Sequence, residues 1–506
     1  MVWHDAETSK TFRRGWAWPP RGACSLARNA LFSALGVTLL FCLPAFGAQR
    51  WEQHYGWGAE DGNGVALTRD GGYVVAAQSL TLGGGSETVA WLIKTDSLGD
   101  TTWTRTFRPP TAGTSWFNSV ATLDDNGYAM AGSADFLDST GQGVGGVFVV
   151  RTDSLGDTCW TRIVGANRQG SRAWSIKQTP DGGLVVAGDN PEEAGFYIVR
   201  FDSLGDTLWT RRLFTDSGGV AYHIELTQDN GFIAAGCRGN SACLVRLNEQ
   251  GETLWTRTYN GSDWSMFLDV RVLSDSGFIA AGAIGINHAG HGYLVRTDPW
   301  GNVVWTKAYG GGYGDDFVGV APAGDGGFMV AGITWSFGAG GKDVWLVKTA
   351  ASGDTEWMET FGGPYDDWAC GIESTPDSGC IVVGVTESYL YGMDQVYLIK
   401  TDAYGSATAI KQDPEANPLQ GSAGPRLSIP TIAAGGSDAE YYLPEPGIAR
   451  LELFNALGQD LARLAEGRMS AGLHRAGLPS GLPAGSYFLR LRTGQGNATQ
   501  RFLLVK

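Results

Sequence analysis

Three acidic doublets are the residues best placed to do chemistry: Glu60-Asp61, Asp315-Asp316 and Asp366-Asp367. Aromatic residues accompany them, namely Trp57, Tyr313, Phe317, Tyr365 and Trp368. An acidic and aromatic sector of this kind could bind a sugar or Ca²⁺. Two carboxylates flanking a glycosidic bond could also act on it, given a separation of roughly 5 Å or 6.5–9.5 Å. The candidate ligand-binding set is therefore Asp61, Asp316, Asp367, Trp57 and Trp368, with no catalytic set assigned. The competing use is structural: Asp satisfies turn N–H groups and the aromatics pack between sheets. The pattern favours that use.

Other chemistry is weakly signalled. "HAGH" (His288 to His291) could pair on a metal, but it lies in a Gly-rich loop without a third ligand. "GGGYGD" from Gly310 imitates a phosphate loop, yet no helix follows. No nucleophile elbow stands out, and the "DSLGD" strings lack the alternating ligands of an EF-hand loop. Metal ligands stay unassigned, and Ca²⁺ is the one cofactor candidate.

The elements that must position these residues repeat. "TDSLGDTTWTR" (Thr95 to Arg105) returns as "TDSLGDTCWTR" (Thr152 to Arg162) and "FDSLGDTLWTR" (Phe201 to Arg211). Three landmarks recur in fixed order: a Trp, usually in W-T-R/K; an acidic turn before an apolar strand, as in "DGGYVVAA" at Asp70; and an aromatic-apolar strand ending in a cation, as in "WLIKTD" at Trp91. Each occurs seven times, 46 to 57 residues apart. A period near fifty with Gly-bounded strands predicts an all-β, seven-bladed propeller of four-stranded blades.

The strands can be placed within each repeat. Asp-Gly and Asn-Gly mark the hairpin between strands a and b, the third landmark is strand c, and the Trp lies on strand d. The repeated string is then a c–d hairpin whose Trp wedges between neighbouring sheets. Its Asp becomes Asn248 and Ala350 in two repeats while Gly and Trp persist, as expected of a turn rather than a ligand site. The chain starts on a d-type strand at Trp51 and leaves the propeller on a c-type strand, so the N-terminal strand is expected to complete the seventh blade. Repeats one, six and seven then become neighbours. Asp61, Asp316 and Asp367, nine or ten residues ahead of their hairpin Asp, should share one face.

The D-x-x-G-x-x-x-W spacing resembles the tryptophan-docking turns of quinoprotein-type propellers, one residue shorter between Asp and Gly. The whole repeat, over about residues 50–405, resembles the "DGGY…AG…D.WL.KTD..G…W" propellers of large secreted bacterial proteins. That likeness implies a fold and no particular activity.

Residues 1–48 read as a signal peptide: Arg13, Arg14, Arg21 and Arg28 precede the apolar "LFSALGVTLLFCL", then Pro44 and "AFGA". Without that segment the chain carries 32 basic and 50 acidic residues, a net of −18, which repels nucleic acid and anionic membranes. Five cysteines remain, with no zinc spacing. Cys237 and Cys243 flank "RGNSA" and are either a disulfide or two buried thiols.

The propeller should span residues 49–410, followed by a Pro/Gly/Ala/Ser-rich linker at 411–438 that includes an initial strand. Residues 439–506 read as a small immunoglobulin-like β-sandwich, with alternation in "RLELF" and "YFLRLR". This module resembles the type A C-terminal sorting domain of the type IX secretion pathway. The matching pieces are "LPEPG" (Leu443 to Gly447), "LELFNALGQ" (Leu451 to Gln459), "LPAGSYFLRL" and the terminal Lys506; "ANPL" (Ala416 to Leu419) stands where that family has Pro-Asn-Pro-Phe. The resemblance implies a transport address read by the type IX machinery, and with it a secreted or cell-surface protein exported through the periplasm and outer membrane. The expected function is a non-catalytic scaffold that binds a polysaccharide or a surface protein, with a glycosidase or lyase as the alternative and nucleic acid excluded as a partner.

Overall fold

The computed structural model describes residues 50–407 except 57, 85–86, 110, 112, 193–194, 260–263, 287–288 and 391. Beyond these it describes the segments 426–428, 432–434, 438–443, 446–455, 460–479, 481–483, 485–493 and 496–505. The expected signal peptide and the first part of the linker lie outside the described residues. The chain divides at residue 410 into two compact units.

Unit one is a seven-bladed β-propeller. Six sheets are formed by consecutive strands a–b–c–d over residues 60–107, 113–167, 172–213, 219–259, 265–309 and 315–361, here blades 1 to 6. Blade 7 takes Asp367–Ser374, Cys380–Thr386 and Gln395–Thr401, and its fourth strand is Trp51–Tyr55 from the other end of the unit. Trp51 pairs with Lys400 and Tyr55 with Val396, so the ring closes through backbone hydrogen bonds and strand c of blade 7 is not left as an edge.

The seven inter-blade junctions each enclose a hydrophobic cluster. At the closing junction Val65, Val75 and Ile93 of blade 1 pack with Val383, Val396 and Leu398 of blade 7. The aromatic wedge of strand d reaches the next blade. Gly99 and Gly156 sit in c–d turns at φ +81°. A Cβ on Gly99 would lie 2.8 Å from the Trp51 ring, and one on Gly156 2.7 Å from the Trp103 ring. The turn therefore needs Gly twice over, for its left-handed backbone and for the indole seated on it. Strand d supplies a cation as well: Arg105 lies 5.4 Å from the Trp103 ring centroid and Arg162 5.4 Å from that of Trp160.

Unit two is a β-sandwich of a three-stranded and a five-stranded sheet. Leu451, Leu453, Leu489, Leu491 and Phe502 fill its core, as the alternation in the sequence requires. The sandwich also takes in Arg426–Ser428 and Ile432–Ala434, from the second half of the expected linker, which pair with Asp438–Leu443 and Gly496–Val505 respectively.

Candidate functional site

The acidic doublets lie at the heads of strand a in blades 1, 6 and 7, which are consecutive around the ring. These heads rim the face that carries the d–a and b–c connections, here the loop face. Every strand a has a β-bulge, at Asn63 in blade 1, Val318 in blade 6 and Cys370 in blade 7. Counted from the bulge, Glu60, Asp315 and Asp367 are equivalent, and so are Asp61, Asp316 and Trp368. Asp61, Asp316 and Asp367 all stand on the loop face, but Asp367 is out of register with the other two. The third doublet starts one residue earlier on its strand, so its second Asp takes the place held by the first acid in the other two.

The first set caps loops. Asp315 accepts hydrogen bonds from Gly311 N at 2.7 Å, Thr334 Oγ1 at 2.6 Å and Ser336 Oγ at 2.7 Å. Asp367 accepts from Gly363 N at 2.7 Å and Ser388 Oγ at 2.6 Å, and Glu60 from Gly58 N at 2.7 Å and Ser79 Oγ at 3.0 Å. All three are buried. In other blades a serine holds the position: Ser115 donates to Phe107 O at 2.8 Å and Ser265 to Tyr259 O at 2.7 Å. Asp367 thus serves its own loop through Oδ2, while its buried Oδ1 has no hydrogen-bond partner, and burial pushes its carboxyl up.

The second set differs. Asp61 is half-buried and accepts a hydrogen bond from Gln78 Nε2. Burial, helped by Asp394, pushes it up to about 6. Asp316 is 5% exposed, and its Oδ1 has no hydrogen-bond partner. Burial and the neighbouring Asp315 push it up to about 7. Trp368 is half-buried with Lys342 Nζ 5.1 Å from its ring centroid. Trp57 lies outside the described residues, as does His288; His291 stands on strand c of blade 5, opposite Ile284. Among the described residues no three His, Cys, Asp or Glu side chains converge as a metal site requires. Cys237 and Cys243 are free thiols. They sit opposite Ala242 and Gly236, which puts their side chains on opposite faces of the sheet.

Two ionic systems escaped the reading of the sequence. On the opposite face, made of a–b and c–d turns and here called the turn face, the cation that ends strand c pairs with the hairpin Asp in all seven blades. Examples are Lys94–Asp70 at 2.8 Å, Arg200–Asp181 at 2.6 Å and Lys400–Asp377 at 2.7 Å. The second system lies along strand a, where it lines the channel. Lys177 pairs with Glu225 at 2.8 Å, joining blades 3 and 4. His223 Nδ1 lies 2.9 Å from Asp269 Oδ1, joining blades 4 and 5, and Asp269 accepts Val320 N from blade 6 at 2.9 Å. Arg271 passes over blade 6 and holds Glu373 of blade 7 at 3.1 Å. Burial pushes Glu373 up, opposed by the Arg271 charge, and pushes His223 down to about 4, which keeps the imidazole neutral. Buried ion pairs thus tie blade 3 to blade 4 and blade 5 to blade 7, while a neutral imidazole meets a carboxylate between blades 4 and 5.

No family model matches this sequence, and no curated protein does. Among solved structures, the WD40 domain of Neurospora crassa Pan2 aligns over 71% of this chain and 97% of its own, at 11% identity and a TM-score of 0.43. The β-propeller domain of the Trilobed protease from Pyrococcus furiosus aligns over 68% and 97%, at 9% identity and 0.37. Puromycin hydrolase aligns over 84% of this chain and 58% of its own, at 14% identity and 0.41. At such identities the likeness says nothing about activity, and the propeller assignment rests on the seven sheets themselves.

Proposed function

We propose that this chain is an exported, non-catalytic β-propeller scaffold for binding or cell-surface interaction. Its C-terminal sandwich is the address that the type IX machinery reads. The observation behind the scaffold reading is the use made of the acids on the loop face. Glu60, Asp315 and Asp367 are buried and accept hydrogen bonds from their own loops. Asp316 is sunk rather than presented to a cleft. A glycosidase would need two carboxylates facing a sugar across open space. The export reading is supported by the basic and apolar segments of residues 1–48 and by "LPEPG", "LELFNALGQ" and "LPAGSYFLRL" occurring in that order.

Deleting residues 439–506 in a host with the type IX machinery should leave folded propeller in the periplasm, read by fractionation. Normal surface arrival of the truncated chain would defeat the sorting assignment. The full chain should release no sugar from a panel of polysaccharides, and turnover abolished by Asp316→Asn would replace the scaffold with the enzyme.

A further inference from the structure

The loop face over blades 6 and 7 sets one lysine against two indoles, where the turn face sets one arginine against one. Four connections interlock there. Tyr313 N donates to Ser336 Oγ at 3.2 Å, Lys342 N to Asp366 Oδ1 at 3.1 Å, and Tyr365 N to Ser388 Oγ at 3.2 Å. On this ridge Trp335 is 44% exposed and Tyr365 48%. Lys342 Nζ lies 5.3 Å from the centroid of Trp335 and 5.1 Å from that of Trp368, with Asp366 Oδ2 at 3.1 Å. Two indoles and a carboxylate are what a desolvated alkylammonium needs. The protein fills that receptor with its own lysine.

The surroundings are over-supplied with negative charge. Glu387 is pushed up by burial, by Asp394 and by Asp366, and Asp394 in turn acts on Asp61. Lys342 is the cation that acts on Glu387 and Asp394. A separate observation points the same way. Gln395, next to Asp394, is 4% exposed, its Nε2 is used on Gly56 O, and its Oε1 has no donor. Each hairpin Asp on the turn face pairs with the cation that ends its strand c, whereas Glu387, Asp394 and Asp366 all look to Lys342. A docked partner that brings donors and positive charge would complete the set.

We propose that this sector of blades 6, 7 and 1 docks a basic polypeptide segment, a partner lysine replacing Lys342 between Trp335 and Trp368 above Asp366. The proposal rests on the binding-scaffold reading and names the class of partner. It is distinguishable from that reading, which is tested by location and by sugar release.

The experiment is calorimetric titration of the full chain with pentalysine, with cellopentaose and pentaglutamate alongside. Pentalysine should bind. Glu387→Gln with Asp394→Asn should weaken it about tenfold, while Asp157→Asn with Asp206→Asn, an equal charge change on exposed turn-face acids, should change it less than about twofold. Lys342→Ala empties the slot and should tighten pentalysine several-fold, whereas Lys307→Ala, the same charge loss on an outer strand, should not. Equal effects at the two acidic pairs would mean general attraction to an acidic protein and would overturn the proposal. So would cellopentaose binding without pentalysine binding. If the Glu387/Asp394 variant fails to fold, the comparison of Lys342→Ala with Lys307→Ala decides alone.

Discussion

The two faces of the propeller handle charge in opposite ways. On the turn face each hairpin Asp has its own cation, seven times over, and each c–d turn has a Trp from the preceding blade seated on its Gly. On the loop face the equivalent cap position holds Ser in blades 2, 3 and 5 and an acid in blades 1, 6 and 7, and the loops it supports differ in length and composition. A surface that repeats unchanged answers to the architecture, since every blade must meet its neighbour in the same way. A surface that varies while the sheets beneath stay constant is free to serve a ligand. The channel between the faces belongs with the first kind in burial and with the second in irregularity, because only four of its seven strands contribute the charged residue.

That channel should give the largest effect. Arg271→Met leaves Glu373 and Asp269 buried without their cation and should cost about 3–5 kcal/mol in denaturant unfolding. Arg271→Met with Glu373→Met should recover the part due to Glu373 and leave the part due to Asp269. A single-variant cost near that of a surface pair would place the channel with the turn face. Next comes Asp316→Asn, which should stabilise. The folded carboxyl titrates at about 7, well above its ordinary value of 3.8. Between those values the native state holds a proton that the unfolded chain has released, so stability falls as pH rises from about 4 to about 7. The variant removes that penalty, worth about 2–4 kcal/mol at pH 8 and nothing at pH 3. Gly156→Val acts on the turn face, where a side chain meets both a left-handed backbone and the Trp103 ring. It should cost about 2–3 kcal/mol. The same change at Gly312 on the loop face, where a Cβ meets nothing within 4 Å, should cost far less.

The fold was legible because its landmarks are local: a turn dipeptide, an apolar strand and a Trp at fixed offsets each announce themselves within ten residues. Closure was legible because the two ends of the repeat are complementary fragments of one blade. The candidate site was legible in place but not in register. Doublets were matched by adjacency, while the bulge sets which member points where, and no residue type announces a bulge that holds Asn in two blades and Val or Cys in others. The cation–Asp pairs on the turn face were hidden although both partners had been noted, because 17 to 26 residues separate them and only strand pairing brings them together. The channel charges carried a signal that went unread. Four residues ahead of each hairpin Asp the sequence has Ala66, Ala121, Lys177, Glu225, Arg271, Ala321 and Glu373. Charge in an otherwise small-residue column marks side chains that answer one another across the ring.

The smallest effect should come from one turn-face pair, and its pH dependence should run opposite to that of Asp316. Burial is the largest single influence on the Asp181 carboxyl and raises it, but hydrogen bonds from Thr179, Arg200 and Gly183 and the Arg200 charge together outweigh it and hold the group below its ordinary value. Its contribution is therefore present above about pH 4 and is lost as pH falls through the lowered folded value. The side chain is 59% exposed, so solvent screens the pair. Arg200 is 5% exposed and also donates to Leu184 O at 3.4 Å, so it is not stranded when Asp181 is neutralised. Asp181→Asn should cost about 1 kcal/mol at pH 7, less in high salt, and nothing near pH 2. Unfolding midpoints of wild type, Asp181→Asn and Asp316→Asn measured from pH 3 to pH 8 would show the two variants diverging from the parent in opposite directions as pH rises. Parallel curves would mean that the two faces treat their carboxylates alike.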